Sequence, residues 1–464
     1  MCGRYSAAHE WVCEFGCQYD AIELITRFSP FVSRFGTKSS RCRGVRHDSA
    51  ARHGLSGVGG SISSVTQPTV APRPTRLFWS PQLLNYDFGS YHPMHPSRLD
   101  ATWRLVQEYG LDKRESVTVE VPEVAADAHL ELAHTHDYVQ AVRAISADPT
   151  VSHPESGLGT EDTPGYAGIH EASARLAGGS FQAAQAILDG TAVRAVNFGG
   201  GMHHAFADKA SGFCVYNDCA VAIQHLLDNG VKRVLYLDVD GHHGDGTQSI
   251  FYDNPDVMTI SIHESGITLF PGTGFANEIG SGEAMGTAVN IAMPPTAEDA
   301  QWLRAYHAVV PSLVEQFRPE VIVSQHGCDS HLSDPLTHLR VSIDGQREIM
   351  MHVAQMADRF CEGRWIATGG GGYDCYDVVP RSWSHLVAVA SGKPLPVTTP
   401  IPASWRDYVK DTYGGNPREY MGDKVDLWWR SWEVGFDPDD DTDRVIMATR
   451  REVFPQWGLD PWYD

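Results

Sequence analysis

DVDGHHGDG, residues 238–246, follows directly on the apolar run VLYL at 234–237. It sets three aspartates and two histidines within nine positions at what reads as the end of a buried strand. In an open sheet of parallel strands, ligands gather outside the carboxyl ends. If Asp238 closes the strand, Asp240 and His242 follow at a spacing of two and share a face. No Lys or Arg lies between residues 234 and 250. Clustered carboxylates repel unless a cation sits among them, so a bare ion-pair role fits poorly and metal binding is expected.

Four other apolar runs end in similar chemistry. VRAVNF leads into GGGMHHA (199–205), VMTISIH into HES (263–265), EVIVSQHG into QHGCDSH (325–331) and RWIATGGGG into GGGGYDCY (369–376). Helix-type stretches such as NDCAVAIQHLLDNG and EDAQWLRAYHAVVPSLVEQF separate them. Near-continuous apolar strands alternating with helices predict a doubly wound α/β sandwich, a parallel sheet covered on both faces. Five strand ends then meet at one rim.

A catalytic zinc takes three protein ligands from His, Asp and Glu and leaves a position for water. Asp240 and His242 need a third ligand from another strand end, and Asp329 in QHGCDSH is the best candidate. His203 and His204 form a tandem pair on a Gly-rich loop. With Asp238 and Asp245 to hold the rings, they suit general base and acid. TGGGGYD at 368–374 lacks the Lys-Ser/Thr of a phosphate loop, but its glycines let the backbone approach closely. Tyr373 can then donate its hydroxyl to an oxyanion.

The 464 residues carry 36 Lys and Arg against 58 Asp and Glu, a formal charge of -22. That balance argues against a nucleic-acid surface and suits a substrate whose product is cationic. Nine cysteines without regular spacing predict a reducing, cytoplasmic setting. No long apolar run or signal-type N-terminus is found, which predicts neither a membrane span nor export. Residues 1–76, with low-complexity SGVGGSISSVTQPTVAPRP near their end, are expected to be a poorly ordered extension. Residues 77–400 form the expected catalytic domain. Residues 401–464, acidic and rich in Trp, are read as an extension docked on it.

Together GGGMHHAFADKASGFCVYND, YLDVDGHHGDG, SIHESGITLFPGTG, QHGCDSHLSDPLTH and GGGGYD resemble the zinc-dependent histone deacetylase family, within it the bacterial acetoin-utilisation (AcuC-type) branch. The resemblance implies the arginase/deacetylase-like α/β fold with a central sheet of about eight mainly parallel strands. It implies Asp240, His242 and Asp329 as zinc ligands. It also implies His203 and His204 bonded to Asp238 and Asp245, with His204 the preferred general base, and Tyr373 as oxyanion donor. Phe213 and Phe270 resemble the aromatic pair of the acyl-lysine tunnel, with Gly212 and Leu336 beside them. Asp162 corresponds to a rim aspartate that holds the substrate backbone, and Arg98 to an arginine near an acetate exit. A structural potassium ion is implied at Asp238, Asp240, His242, Ser261 and Ile262, and a second near Phe251 and Val257.

The implied reaction is hydrolysis of the acetyl amide of Nε-acetyl-lysine in proteins, releasing acetate and lysine. The implied partner is an acetylated protein, such as an acyl-CoA synthetase or another metabolic enzyme, rather than nucleic acid or membrane. Alternatives are an acetylpolyamine or other small-amide hydrolase with the same site, a two-manganese ureohydrolase on the same fold, and a silent acyl-lysine binder. Iron(II) suits the Asp/His/Asp donors as well as zinc does. The loop before His203 reads GGGM where eukaryotic members often carry Arg-Pro-Pro-Gly, a departure that bears on substrate choice.

Overall fold

The computed structural model describes residues 73–464 except residue 152, and these belong to one compact unit. Most of the expected N-terminal extension lies outside the described residues. Its last two positions do not belong to it: Thr75 and Arg76 open the first strand. Thr75 pairs with Val117 on one side and Arg194 on the other, so the body begins before Leu77.

Among the described residues eight strands form one sheet, all parallel. In chain order they are β1 (Thr75–Phe78), β2 (Val117–Glu120), β3 (Arg194–Asn197), β4 (Val234–Asp238), β5 (Val257–Glu264), β6 (Ala288–Met293), β7 (Val321–Gln325) and β8 (Trp365–Thr368). Their spatial order is β2-β1-β3-β8-β7-β4-β5-β6. The five strands whose ends carry the motifs, β3, β8, β7, β4 and β5, are therefore consecutive neighbours. Convergence of the motifs follows from that order.

Successive side chains of a strand face opposite sides, and β4 shows the result. Leu235 and Leu237 join one buried cluster, Val234 and Tyr236 the other. Helices cover both: α1 (Ser97–Glu108), α2 (Asp127–Leu130), α3 (His136–Ala147), α4 (Ile169–Leu188), α5 (Asp218–Asp228), α6 (Asp245–Ile250), α7 (Asp299–Phe317), α8 (Ile343–Phe360), α9 (Val378–Ala390), α10 (Ala403–Tyr413) and α11 (Asp441–Val453). Local signals set several starts. Asn217 caps α5 by accepting from Ala220 N, Ser342 caps α8 through Gly345 N, and Glu298 with Gln301 forms a capping box on α7. Among the described residues no helix is long and apolar enough to cross a membrane. Cys214, Cys219, Cys328, Cys361 and Cys375 are buried free thiols.

Residues 401–464 pack on this body. Trp405 is buried and its indole N–H donates to Ala101 O of α1 at 2.9 Å. Trp429 stacks on His307 of α7, and Trp457 donates to Gly286 O at 2.8 Å. Trp428 and Trp462 remain exposed. The acidic run before α11 has local work to do: Asp440 accepts from Thr442 N and Asp443 N as the helix cap. Asp443 then pairs with Arg304 of α7 through two bonds of 2.5 and 2.7 Å, both residues buried.

Burial opposes ionisation of Asp443, but Arg304, the Asp437 N–H and Arg430 outweigh it and hold the carboxyl below its usual range. A depressed folded value means that the stabilisation is present above the unfolded carboxyl pKa of about 3.9 and is lost as pH falls toward the folded value. Asp443→Asn is expected to cost about 3 kcal/mol at neutral pH, because it leaves a buried guanidinium short of its counter-charge. Denaturant melts at pH 7 and pH 3.5 check this: the gap between the two proteins should narrow at the lower pH.

Candidate metal centre and active site

β4 ends at Asp238, and the chain then bends sharply instead of continuing as a strand. Asp238 organises the bend. It accepts from Asp240 N at 3.2 Å and from the Tyr236 hydroxyl at 2.7 Å. His242 N donates to Asp240 Oδ1 at 2.9 Å, which folds the two side chains toward one point. On the neighbouring strand end, the turn after β7 brings Asp329 to the same point. The ligand atoms of Asp240, His242 and Asp329 all lie within 4.8 Å of one another, and all three residues are buried. Among the described residues this is the single cluster of three such groups with metal-holding spacing.

The outer carboxylate oxygens are already engaged. Asp240 Oδ2 accepts from the Gln325 amide at 2.7 Å and from Gly371 N at 2.8 Å, and Asp329 Oδ1 accepts from Gly241 N at 2.6 Å. Asp240 Oδ1 and Asp329 Oδ2 are left toward His242 Nδ1, at 3.3 and 2.9 Å. Burial, with the charge of Asp240, lifts the Asp329 carboxyl to about 6. Burial opposes a charge on His242 too, yet Asp329 and Asp240 raise it well above its usual value. Two buried carboxylates thus favour positive charge at the point between them, the place a dication would take. Two carboxylate oxygens and one imidazole nitrogen suit zinc or iron(II). Glycine lets the backbone come this close: a Cβ on Gly371 would overlap Asp329 Oδ2 and lie 2.9 Å from Asp240 Oδ2.

The histidine couple comes from the loop after β3. Asp218, at the start of α5, accepts from Gly201 N and Met202 N at 2.9 and 2.8 Å, and Asn217 donates to Ala205 O at 3.0 Å. So held, His203 Nδ1 meets Asp238 Oδ2 at 2.8 Å and His204 Nδ1 meets Asp245 Oδ1 at 2.7 Å. The two rings are 4.0 Å apart but sit in different fields. Burial disfavours charge on His203, but Asp238 and Asp240 outweigh it and raise the ring to about 9. His204 is lowered, by burial first and then by its charged neighbour His203, which keeps it neutral. A dication beside Asp240 would cancel part of the lift on His203.

Gly370 and Gly372, at φ of 151° and 142°, adopt backbone that favours glycine and turn Tyr373 into the site. Its N–H donates to Asp334 Oδ2 at 2.8 Å. Burial, then the charges of Asp329 and Asp240, keeps its phenol protonated. Its ring meets Phe213 edge-on at 5.9 Å. Phe270 stands 5.1 Å from the His204 ring and 6.4 Å from His242. Gly212 abuts His204 so closely that a Cβ would overlap the ring. Leu336 is half-buried and donates its N–H to Asp334 Oδ1. Asp162 is exposed, its carbonyl 3.4 Å from His92 Nε2, and His92 packs on Phe213 at 4.5 Å. Arg98 is buried behind the glycine loop and donates to Gly370 O at 2.7 Å.

Asp238 pairs in register with Ser261, and Ile262 follows it on β5, so the five residues implied for potassium come from two adjacent strand ends and the bend that follows β4. Phe251 and Val257 are buried at the end of α6 and the start of β5. Residue-by-residue reading passed over Gln325, Asn217, Asp218, Asp334 and His92. A glutamine closing an otherwise apolar run was a usable signal for Gln325. The others become visible only through contacts between distant segments.

Residues 92–390 match the family model described as the histone deacetylase domain. The chain is 43% identical over 366 residues to acetoin utilization protein AcuC of Bacillus subtilis (strain 168), covering 75% of this chain and 93% of that protein. It is 40% identical over 334 residues to AcuC of Staphylococcus xylosus, covering 71% and 86%. AcuC of Staphylococcus aureus (strain MRSA252) is 39% identical over 326 residues, covering 69% and 82%.

The wild-type chain is expected to bind one divalent ion tightly, with a thermal transition that falls on chelation and recovers on adding zinc. A ligand at a thousandfold excess over its Kd stabilises by about 4 kcal/mol. Asp329→Ala and Gly371→Ala should both lose that metal-dependent shift, the second by pushing the two carboxylates apart. Metal analysis after gel filtration, with paired melts, checks both; a Gly371→Ala protein that keeps full metal content and the full shift would refute the packing argument.

Proposed function

The chain belongs to the histone deacetylase family, and from that premise we propose that this deacetylase removes the acetyl group from Nε-acetyl-lysine in proteins by metal-dependent amide hydrolysis. The observation that carries the reading is the meeting of Asp240, His242 and Asp329 within 4.8 Å, with two Asp-held histidines and Tyr373 close by. A zinc ion bound by these three residues, or iron(II) in its place, supplies Lewis acidity toward the amide carbonyl and lowers the pKa of the attacking water.

The chain's own groups do the rest. His204 is the general base: Asp245 fixes Nδ1–H, which leaves Nε2 as the acceptor for the water proton. His203, paired with Asp238, supplies positive charge beside the developing anion. The Tyr373 hydroxyl, kept protonated by burial and nearby carboxylates, donates to the carbonyl oxygen as it gains charge. The imidazolium then returns a proton to the lysine nitrogen as the C–N bond breaks, and acetate and lysine leave. Phe213, Phe270, Gly212 and Leu336 line a path for the neutral lysine stem, while Asp162 at the rim accepts from the substrate backbone. Potassium at Asp238, Asp240, His242, Ser261 and Ile262 is part of the same reading, supported by the pairing of β4 with β5.

The relatives' name, acetoin utilization protein, favours a metabolic enzyme as the acetylated partner, such as an acyl-CoA synthetase. A surplus of acidic residues suits a cationic product, and it suits the product of an acetylpolyamine as well. The deciding experiment compares kcat/KM on acetyl-lysine peptides, a folded acetylated acyl-CoA synthetase and acetylpolyamines. The protein substrates should win. Tyr373→Phe should lower kcat on peptide by about 10²–10³, the effect of removing one oxyanion donor, and His204→Ala should lower it at least as far. Higher kcat/KM on acetylpolyamine would move the assignment to the small-amide reading.

A further inference from the structure

The segment beyond the matched family domain converges on the site around one carboxylate. Asp423, only 2% exposed, lies ten residues after α10 and accepts four bonds. Oδ2 takes His331 Nε2 at 2.9 Å and Ile343 N at 2.8 Å; Oδ1 takes Arg381 at 2.7 Å and Arg418 at 2.5 Å. Its own N–H donates to Asp344 Oδ2 at 2.5 Å. Four charged or ring donors and acceptors from four segments meet at this buried group. Such a network is rigid when fully satisfied.

Two routes run from it into the site. Along the first, His331 closes the turn that holds Asp329: its N–H donates to Cys328 O, and its carbonyl accepts from Asp334 N at 2.9 Å. Asp334 in turn accepts from Tyr373 N. Along the second, Arg381 is fully buried between Asp423 and Asp377, and the Asp377 N–H donates to Asp374 Oδ1 at 3.2 Å. Arg418 N also donates to Asp377 Oδ1, at 2.8 Å. One route holds the chain just before Tyr373 and the other the chain just after it.

We propose that Asp423 is a positioning residue that sets the Asp329 turn against the Tyr373 loop, so that the C-terminal extension is a working part of the site. The inference rests on the reading of Asp329 as a metal ligand and Tyr373 as the oxyanion donor. A displacement of about 1 Å in a reacting group costs up to about a hundredfold in rate. Loosening this node shifts two such groups relative to each other.

The test uses the full metal-loaded chain with Asp423→Asn and with Arg418→Ala, each alone and combined with Tyr373→Phe. Arg418 is partly exposed, so its variant decides the matter if Asp423→Asn fails to fold. Rates are expressed per bound metal ion. Asp423→Asn should lower kcat on acetyl-lysine peptide by about tenfold and leave KM within about twofold. Amide hydrogen exchange should quicken in residues 328–337 and 370–377 while β4 and β5 keep their protection. In the Tyr373→Phe background the fractional kcat loss should be clearly smaller than in the wild-type background, because part of the lost positioning acts through that hydroxyl. Wild-type exchange in both loops, or an equal fractional loss of kcat in the Tyr373→Phe background, would overturn the proposal. A Tyr373→Phe protein with wild-type turnover would instead sink the functional reading, and the exchange data would then decide the linkage alone.

Discussion

Two carboxylates cannot share a buried pocket unless something positive stands between them, and that constraint organises this protein. Asp240 and Asp329 close the gap between the ends of β4 and β7 with no exposed surface. The surroundings answer their charge from every side: the Gln325 amide, the N–H groups of Gly241 and Gly371, and the His242 ring between them. Glycine at 371 is required by the same crowding, because any side chain there would enter the space of both acids. The glycine loop that follows β8 is thus shaped by these two carboxylates before it reaches Tyr373.

Electrostatics also separates two residues that look equivalent in the sequence. His203 and His204 are chain neighbours, each with an aspartate on Nδ1, yet burial and neighbouring charge drive them in opposite directions. His203 feels both Asp238 and Asp240; His204 feels Asp245 and the charge of His203. The difference arises from which strand end each ring faces.

Much of this was legible in the residues. The five strand ends stood out because each pairs a run of buried apolar residues with abrupt polarity, and the sheet order then makes them neighbours. β1, β2 and β6 were harder to see. β2 is an edge strand with Thr118 and Val119 exposed, and β6 breaks its apolar run at Asn290, whose amide serves Gln248 and Glu278 O. Gln325 stands out locally as a polar residue closing an apolar run, but its partner is set by register, its pairing with Asp238. The acidic run before α11 reads as a charged tail until Arg304, 139 positions earlier, is placed against Asp443.

The position of β8 has a consequence for biosynthesis. Strands β4 to β7 form a contiguous half-sheet that carries all three donors, while β1 to β3 form the other half with the histidine loop. β8, the final strand to leave the ribosome, slots between β3 and β7 and seams the halves together. A nascent chain therefore holds Asp240, His242 and Asp329 36 residues before the seam begins, since Asp329 precedes Trp365. Until β8 inserts, the facing edges of β3 and β7 have no partner, so the rim that brings the histidine loop to the acids does not yet exist.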